Sequence, residues 1–233
     1  MTNSFTYADQ LKKRYRCYGH FYTWEQSGFE LPSRSVLEIV DRTQLDVAAE
    51  SLWSRPADAV VIMMNPGSSR PLEGGAIPQL SSPLAIEEKT LVLTQPDNTQ
   101  YQLMRIGLLQ QWAHIRVLNL SDLREPKSVQ FIKKINALEN VRGGGLHSIF
   151  APERSQECEQ ALARKRDPLL LGWGQHLDLV PLAAQCMARL EGARTLGVPS
   201  ALHPLLNAHP SPMMQQQKEQ WLTSMIDALE RDG

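Results

Sequence analysis

The chain has 233 residues, 42% of them hydrophobic and 21% charged, with a formal net charge of -1 at pH 7. These values are typical of a globular protein with one substantial core, and they exclude a disordered chain. They also exclude the overall basic field that draws many proteins onto nucleic acid, while a local basic cleft stays compatible with them.

The first 56 residues differ in pattern from the rest of the chain. Extended segments are predicted at 14–24 and 35–40. We interpret residues 1–56 as an N-terminal β appendage packed on an edge of a larger sheet. Residues 57–233 are interpreted as the main α/β domain, and the two parts are expected to form one compact unit.

From residue 57 onward, apolar strand-like runs alternate with helical patterns. Strands are predicted at 59–64, 115–120, 148–150, 168–171 and 201–206. Helices are predicted at 99–113, 128–139, 153–165, 178–190 and 212–230, the first capped by Asn98 and the last by Ser211. This alternation predicts a three-layer α/β/α domain with a parallel-rich central sheet.

Two connecting segments have distinctive compositions. Residues 67–98 are rich in Gly, Pro and Ser, with a short added strand predicted within 88–94. The glycines at 143–145 predict a flexible connection.

Unusual residues follow four of the predicted strands. Asn65 follows the first strand, Asn119 lies at the end of the second, Trp173 follows the fourth and His209 follows the last. Ligands bind beyond the carboxyl ends of the strands in open α/β sheets, so we expect these four side chains to share one rim. Pro210 restricts His209 to an extended conformation and so holds its ring at a stiff corner. Three cations further along these loops are candidates to bind phosphate: Arg70, Arg124 and Lys127.

The order of these motifs resembles the uracil-DNA glycosylase superfamily. Asn65-Pro66-Gly67 is similar to the N-P-G motif that positions water in its mismatch-specific uracil/thymine branch, and Asn119 to the asparagine that reads the polar edge of the base. His209-Pro210-Ser211-Pro212 is similar to the H-P-S-P loop, whose histidine supports the leaving base and whose following residue, here Met213, wedges into the duplex. The strand leading into Gly172-Trp173-Gly174 matches the strand before that loop.

The chain also resembles a bacterial family of unknown function with M-N-P, N-L, W-G and H-P-L landmarks. Met64-Asn65-Pro66 and His203-Pro204-Leu205 fit that pattern. Together the two resemblances cover roughly residues 58–231.

The resemblance implies a uracil-DNA-glycosylase-like fold and a protein that hydrolyses or recognises a base–sugar bond, with DNA or a nucleotide as partner. It implies catalytic roles for Asn65 and His209. It also implies contacts to the base or substrate from Asn119, Gly67, Ser211, Trp173 and Met213. The main bacterial uracil enzymes carry Asp and His in the first loop, where this chain has Asn65. An amide is a poor general base, so a modest rate is expected.

Each of these residues also has a purely structural interpretation. Asn65 is a common strand-ending turn residue, Asn119 can satisfy buried backbone groups, and Trp173 can belong to the core. The arginines of the rim can be solvated, and His203 competes with His209 because both precede proline. Two alternatives to a glycosylase therefore stay open: a non-catalytic binder of a nucleotide or nucleic acid, and an accessory protein that acts through its surface.

Several other classes are excluded or not expected. The chain lacks the G-x-S-x-G, G-x-x-x-x-G-K-[ST] and H-E-x-x-H motifs of common hydrolases, nucleotide triphosphatases and zinc proteases. Cys17, Cys158 and Cys186 are odd in number and widely spaced, which predicts reduced thiols. We expect no metal and no cofactor. The absence of a long apolar run or a signal-like start predicts a cytoplasmic protein without membrane contact.

Overall fold

The computed structural model describes residues 5–165 and 168–232, so residues 1–4, 166–167 and 233 of the predicted segments lie outside it. It confirms the three-layer α/β/α architecture: a mixed sheet of eight strands is flanked by helices. The strands are β1 (Tyr15–Gln26), β2 (Phe29–Asp41), β3 (Ala59–Met63), β4 (Gln79–Leu80), β5 (Val92–Thr94), β6 (His114–Asn119), β7 (Leu169–Leu171) and β8 (Thr195–Gly197). The helices are α1 (Ala8–Arg14), α2 (Asn98–Gln110), α3 (Ser128–Glu139), α4 (Ser155–Ala161), α5 (Val180–Arg189) and α6 (Gln215–Asp232).

The centre of the sheet is parallel. The strand order is β4-β1-β2-β6-β3-β7-β8, with β5 also paired to β1. The four neighbouring strands β6, β3, β7 and β8 are parallel to one another. Every residue of β3 and β6 is buried, which is typical of parallel strands covered on both faces. Their carboxyl ends therefore open at one edge of the sheet.

The predicted N-terminal extended segments form a long antiparallel hairpin. β1 and β2 are joined by Ser27 and Gly28, which both have positive φ, as a two-residue type I′ turn requires. β2 then pairs with β6 from Leu37↔Val117 to Val40↔His114. The hairpin therefore continues the central sheet, and β2 is one of its interior strands.

A β-bulge interrupts the hairpin at Ser35. His20 pairs with Val36 and Phe21 pairs with Arg34, so Ser35 is the extra residue on β2. After the bulge in the chain, Leu37 belongs to the core on the α2 and α6 face of the sheet. Before the bulge, Leu31, which is also odd-numbered, belongs to the opposite core. The bulge thus reverses the alternation and turns Arg34 toward the face that carries α2 and α6.

Several predicted elements are wrong in position or type. Residues 148–150 form a turn instead of a strand. The Ser148 hydroxyl accepts a hydrogen bond from the Phe150 N–H, which is then not available for pairing with another strand. Residues 201–206 are also turns, and the last parallel strand is β8 instead. The glycines at 143–145 lead into a 3₁₀ helix at Gly144–His147.

The helix boundaries also differ from the prediction. α6 begins at Gln215, so Ser211 does not cap it. Asp97, rather than Asn98, caps α2. 3₁₀ turns occupy the first residues predicted for α4 and α5, and α4 also ends at Ala161 rather than at residue 165.

A buried ionic cluster links β2 to β6. Glu38 and Arg116 are register partners, and the Arg116 Nε donates to Glu38 at 2.7 Å while His114 contacts the other carboxylate oxygen at 2.7 Å. The Arg116 guanidinium also lies 4.9 Å from the Trp53 ring. Its two terminal nitrogens donate to backbone carbonyls of five residues: Leu52, Trp53, Arg55, Gln160 and Ala161. Arg116 therefore fastens the segment 52–55 and the C-terminal end of α4 to the sheet.

A buried histidine predicts acid sensitivity of the fold. His20 is 4% exposed and contacts the Ser35 hydroxyl at 2.8 Å, and Lys89 donates to the same hydroxyl at 3.0 Å. Burial, and then the charge of Lys89, lower the pKa of His20 to about 3. As the pH falls below about 6.5, His20 becomes protonated in the unfolded chain but stays neutral in the folded protein. The free energy of unfolding therefore decreases. We expect a loss of about 2 kcal/mol between pH 6.5 and 5 from this residue.

Urea unfolding of the wild type and of His20→Gln at pH 8, 6.5 and 5 measures this effect. The variant should lose less stability on acidification than the wild type. An equal loss in both proteins would show that His20 does not contribute to the pH dependence.

All three cysteines are buried and unpaired, as expected for reduced thiols. No helix within residues 5–165 and 168–232 combines the length and apolar character needed to cross a membrane.

Candidate functional site

A cavity of about 330 Å³ opens at the carboxyl ends of β3 and β6. This volume lies at the small end of the range of ligand pockets, which is about 300–1,000 Å³. Three of the four side chains expected to share one rim, Asn65, Asn119 and His209, line this cavity together with Gly67, whereas Trp173 does not. Arg34 from β2 and the start of α2, from Asp97 to Gln100, complete the wall.

Most backbone carbonyls of the loop that carries His209 accept a hydrogen bond from another part of the protein. The indole N–H groups of Trp173 and Trp221 donate to the carbonyls of residues 205 and 208, each at 3.0 Å. The Gly174 N–H donates to residue 207, and the Gln102 amide donates to residue 210. The imidazole is therefore presented by a fixed backbone, which favours a preorganised site.

The hydrogen bonds of His209 define its tautomer. Its Nδ1 accepts the backbone N–H of Ser211 at 3.1 Å, so the proton of the neutral ring lies on Nε2. Burial lowers the pKa of His209 below its ordinary value and outweighs the opposing effect of Asp97. At neutral pH the ring is uncharged and offers one Nε2–H donor to a ligand.

Asn119 is fully buried and its amide is held in one orientation. The Nδ2 donates to the backbone oxygen of Asn65 and the Oδ1 accepts from Nη2 of Arg34, both at 3.2 Å. One N–H and one lone pair remain for a ligand. Asn119 thus combines a structural role with a free donor and a free acceptor.

Asn65 ties together the loops that follow β3 and β6. Its Nδ2 donates to the backbone carbonyls of Leu123 at 3.2 Å and Glu125 at 2.7 Å. Both N–H groups of the amide are therefore used inside the protein. No donor within the described ranges contacts its Oδ1, which is left to accept a hydrogen bond from a ligand or from water.

Two charged residues that were not predicted, Asp97 and Arg34, also belong to the site. Asp97 caps α2 by accepting the N–H groups of Thr99 and Gln100 on one carboxylate oxygen, which leaves the other available to the cavity. An Asp followed three residues later by Gln100 is a capping-box pattern, so Asp97 could have been found. Arg34 carries no such local pattern, because only the bulge at Ser35 directs it to this site.

Other predicted contact residues lie outside the cavity wall. Trp173 is fully buried in the core and supports the His209 loop, and Ser211 supports the His209 ring through its backbone. Met213 is 98% exposed. Of the predicted phosphate ligands, Arg70 and Lys127 are exposed, while the Arg124 Nε donates to the carbonyl of Ser69. None of these three cations lines the cavity.

A second cavity of about 360 Å³ lies between β1 and the loop over residues 71–92. Its wall is mainly apolar, and its polar residues include His20, Thr90 and three glutamates. The smaller cavity has more converging polar groups, and we regard it as the candidate site for that reason.

The described part of the chain contains no cluster of three or more His, Cys, Asp or Glu residues that could hold a metal ion. Comparison with protein-family models, with curated proteins and with solved structures finds no match to this chain. The function proposed below therefore rests on the geometry of the site and on the sequence resemblance.

Proposed function

We propose that this protein is a uracil-DNA-glycosylase-like protein that hydrolyses or recognises the bond between a base and its sugar, in nucleic acid or in a nucleotide. One observation carries the proposal. Asn65, Asn119 and His209 are distant in the sequence, yet they line one cavity at the end of the parallel strands. These are also the residues on which the sequence resemblance depends.

The cavity offers groups suited to each part of this reaction. The C1′–N bond breaks and its electron pair leaves with the base, while the oxygen of a water molecule bonds to C1′. The water loses a proton, which the Asp97 carboxylate accepts, and the released base anion takes a proton from solvent. Positive charge develops on the sugar and negative charge on the base, so a carboxylate near the first and donors near the second accelerate the step.

The neutral imidazole of His209 suits the departing base. Its Nε2–H donates a hydrogen bond to a base oxygen that becomes more negative as the bond breaks. Asn119 supplies one further donor and one acceptor for the polar edge of the ring. The free Oδ1 of Asn65 orients the water, and Asp97 replaces the general base that an amide cannot provide.

A non-catalytic nucleotide or nucleic-acid binder is the second candidate, and the bonding of Asn65 favours it. The amide nitrogen of Asn65 joins two loops, a role that requires no reaction. The predicted phosphate-binding cations do not line the cavity, which favours a nucleotide over duplex DNA within this alternative.

The two candidates are separated by single-turnover base release from uracil- and lesion-containing oligonucleotides and nucleotides. The wild type should release base, and His209→Ala should lower the rate about 10²–10³-fold, as expected for loss of one aimed donor. Asp97→Asn keeps the helix cap and should lower the rate about 10²-fold or more. Asn65→Ala should also reduce the rate.

His203→Ala is the matched control. His203 also precedes proline and its Nδ1 also accepts the N–H two residues later, but it does not line the cavity. It should release base at the wild-type rate. Equal losses in the two histidine variants would contradict the proposed site. Nucleotide binding that His209→Ala weakens, with no release from any substrate, would establish the second candidate instead.

A further inference from the structure

Arg34 is a buried cation that forms no ion pair with any of the described residues. Its side chain is 1% exposed, and within residues 5–165 and 168–232 its Nε and Nη1 have no hydrogen-bond partner. Only Nη2 is bonded, to the neutral amide of Asn119. Burial lowers the pKa of Arg34 to about 10, so the guanidinium is still charged at neutral pH.

Neither neighbouring carboxylate forms an ion pair with Arg34, although the charge of Asp97 partly opposes the effect of burial on the Arg34 pKa. Asp122 accepts from Arg154 at 2.8 Å and from Tyr22 at 2.8 Å, and only its backbone oxygen bonds to the Arg34 N–H. Asp97 shares the cavity with Arg34 but forms no ion pair with it, and one of its oxygens caps α2. An unpaired buried charge costs several kcal/mol, so such a residue calls for a partner that arrives from outside.

The orientation of the Arg34 side chain depends on the β-bulge at Ser35. In a regular strand Arg34 and Val36 would point to the same face of the sheet, and the extra residue Ser35 places them on opposite faces. Bulges are common beside active sites, where they redirect a side chain. Arg34 also contacts Asn119, which places it at the inner end of the cavity rather than at its mouth.

We propose that Arg34 binds a negatively charged oxygen of the ligand that enters this cavity. The inference rests on the proposed function in taking the cavity as the binding site, and it adds the chemical class of the ligand. Two sources supply such an oxygen: an acidic nucleobase that carries negative charge, or the phosphate of a nucleotide. For a glycosylase the first source means that Arg34 stabilises the departing base.

Calorimetric titration of the purified protein with four probes tests the inference. The probes are uracil, the more acidic 5-fluorouracil, the non-ionisable 1,3-dimethyluracil, and inorganic phosphate. Binding of 5-fluorouracil or of phosphate by the wild type should weaken about tenfold or more in Arg34→Met, as expected for loss of hydrogen bonds from a charged donor. The affinity for 1,3-dimethyluracil should change by less than about twofold.

Two further variants separate binding from folding. Arg42→Met removes an exposed arginine that directly follows β2 and should bind like the wild type. Arg34→Lys keeps the charge with fewer donors and should retain part of the binding. Arg34→Met should melt at or above the wild-type temperature, because it removes an unpaired buried charge. If it does not fold, the comparison of Arg34→Lys with Arg42→Met decides.

The outcomes distinguish this inference from the proposed function. Loss of phosphate binding alone would support the anion site and contradict a base site. Unchanged binding of every probe in the Arg34 variants, or binding of neither anion by the wild type, would overturn the inference. Such a result would not contradict the proposed function, which is tested separately by base release.

Discussion

Arg116→Met is expected to destabilise the protein by about 3–5 kcal/mol, since it leaves the buried Glu38 carboxylate without its cation. The five backbone carbonyls that Arg116 binds lose their donor as well, which adds to the effect. Total stability of about 5–15 kcal/mol makes this a large fraction of the whole. For a domain of this size the melting temperature should fall by roughly 6–20 °C.

Thermal unfolding of three variants and the wild type checks this expectation. Arg42→Met, which removes an exposed arginine, should stay within about 0.5 kcal/mol of the wild type. The double variant Glu38→Leu with Arg116→Met should be more stable than Arg116→Met alone, because no unpaired charge remains. Identical melting of Arg116→Met and Arg42→Met would show that the cluster contributes nothing.

Gly197→Ala is expected to disturb both stability and the site. A Cβ at this position would collide with the Asn207 Oδ1 and lie 2.6 Å from the Asn207 Cγ and 2.9 Å from the Leu171 carbonyl oxygen. Asn207 belongs to the loop that presents His209 and bridges to Gly174 and Pro199. We expect a loss of about 1–3 kcal/mol from overpacking. Ligand binding should weaken about tenfold or more, because the loop must move.

Gly145→Ala is the matched control, since a Cβ there meets nothing within 4 Å. Adding Asn207→Ala to Gly197→Ala should restore part of the stability, and the contact with the Leu171 carbonyl limits the recovery. Chemical denaturation and nucleotide titration measure the two effects. Full binding by Gly197→Ala would mean that the His209 loop tolerates displacement.

The sequence predicted the parts of the fold that depend on local patterns. The runs that became β3 and β7 are apolar over their whole length, and β6 is buried throughout although it contains Arg116. Helices α2 and α3 were predicted close to their observed bounds. β8 was missed because it has only three residues, half-buried, next to a turn. The predicted strand at 201–206 failed because His203 bonds the Leu205 N–H and stabilises a turn.

The candidate site was predictable where a side chain directly follows a strand. Asn65, Asn119 and His209 meet because the ends of parallel strands meet. Arg34 depends on a bulge that has no sequence pattern of its own, and on pairing between β2 and a strand about eighty residues later. Arg116 shows the reverse case: an arginine inside an apolar strand was visible in the sequence, but its partner Glu38 was not.

The interior position of β2 changes what a minimal version of this protein must contain. A fragment beginning at residue 57 would leave the outer edge of β6 with a row of unpaired backbone N–H and C=O groups. Bare edges of this kind recruit other chains and promote aggregation. Such a fragment would also lack the guanidinium from the cavity wall. The hairpin is thus a constituent of the binding pocket itself, and shortened or permuted chains have to retain it.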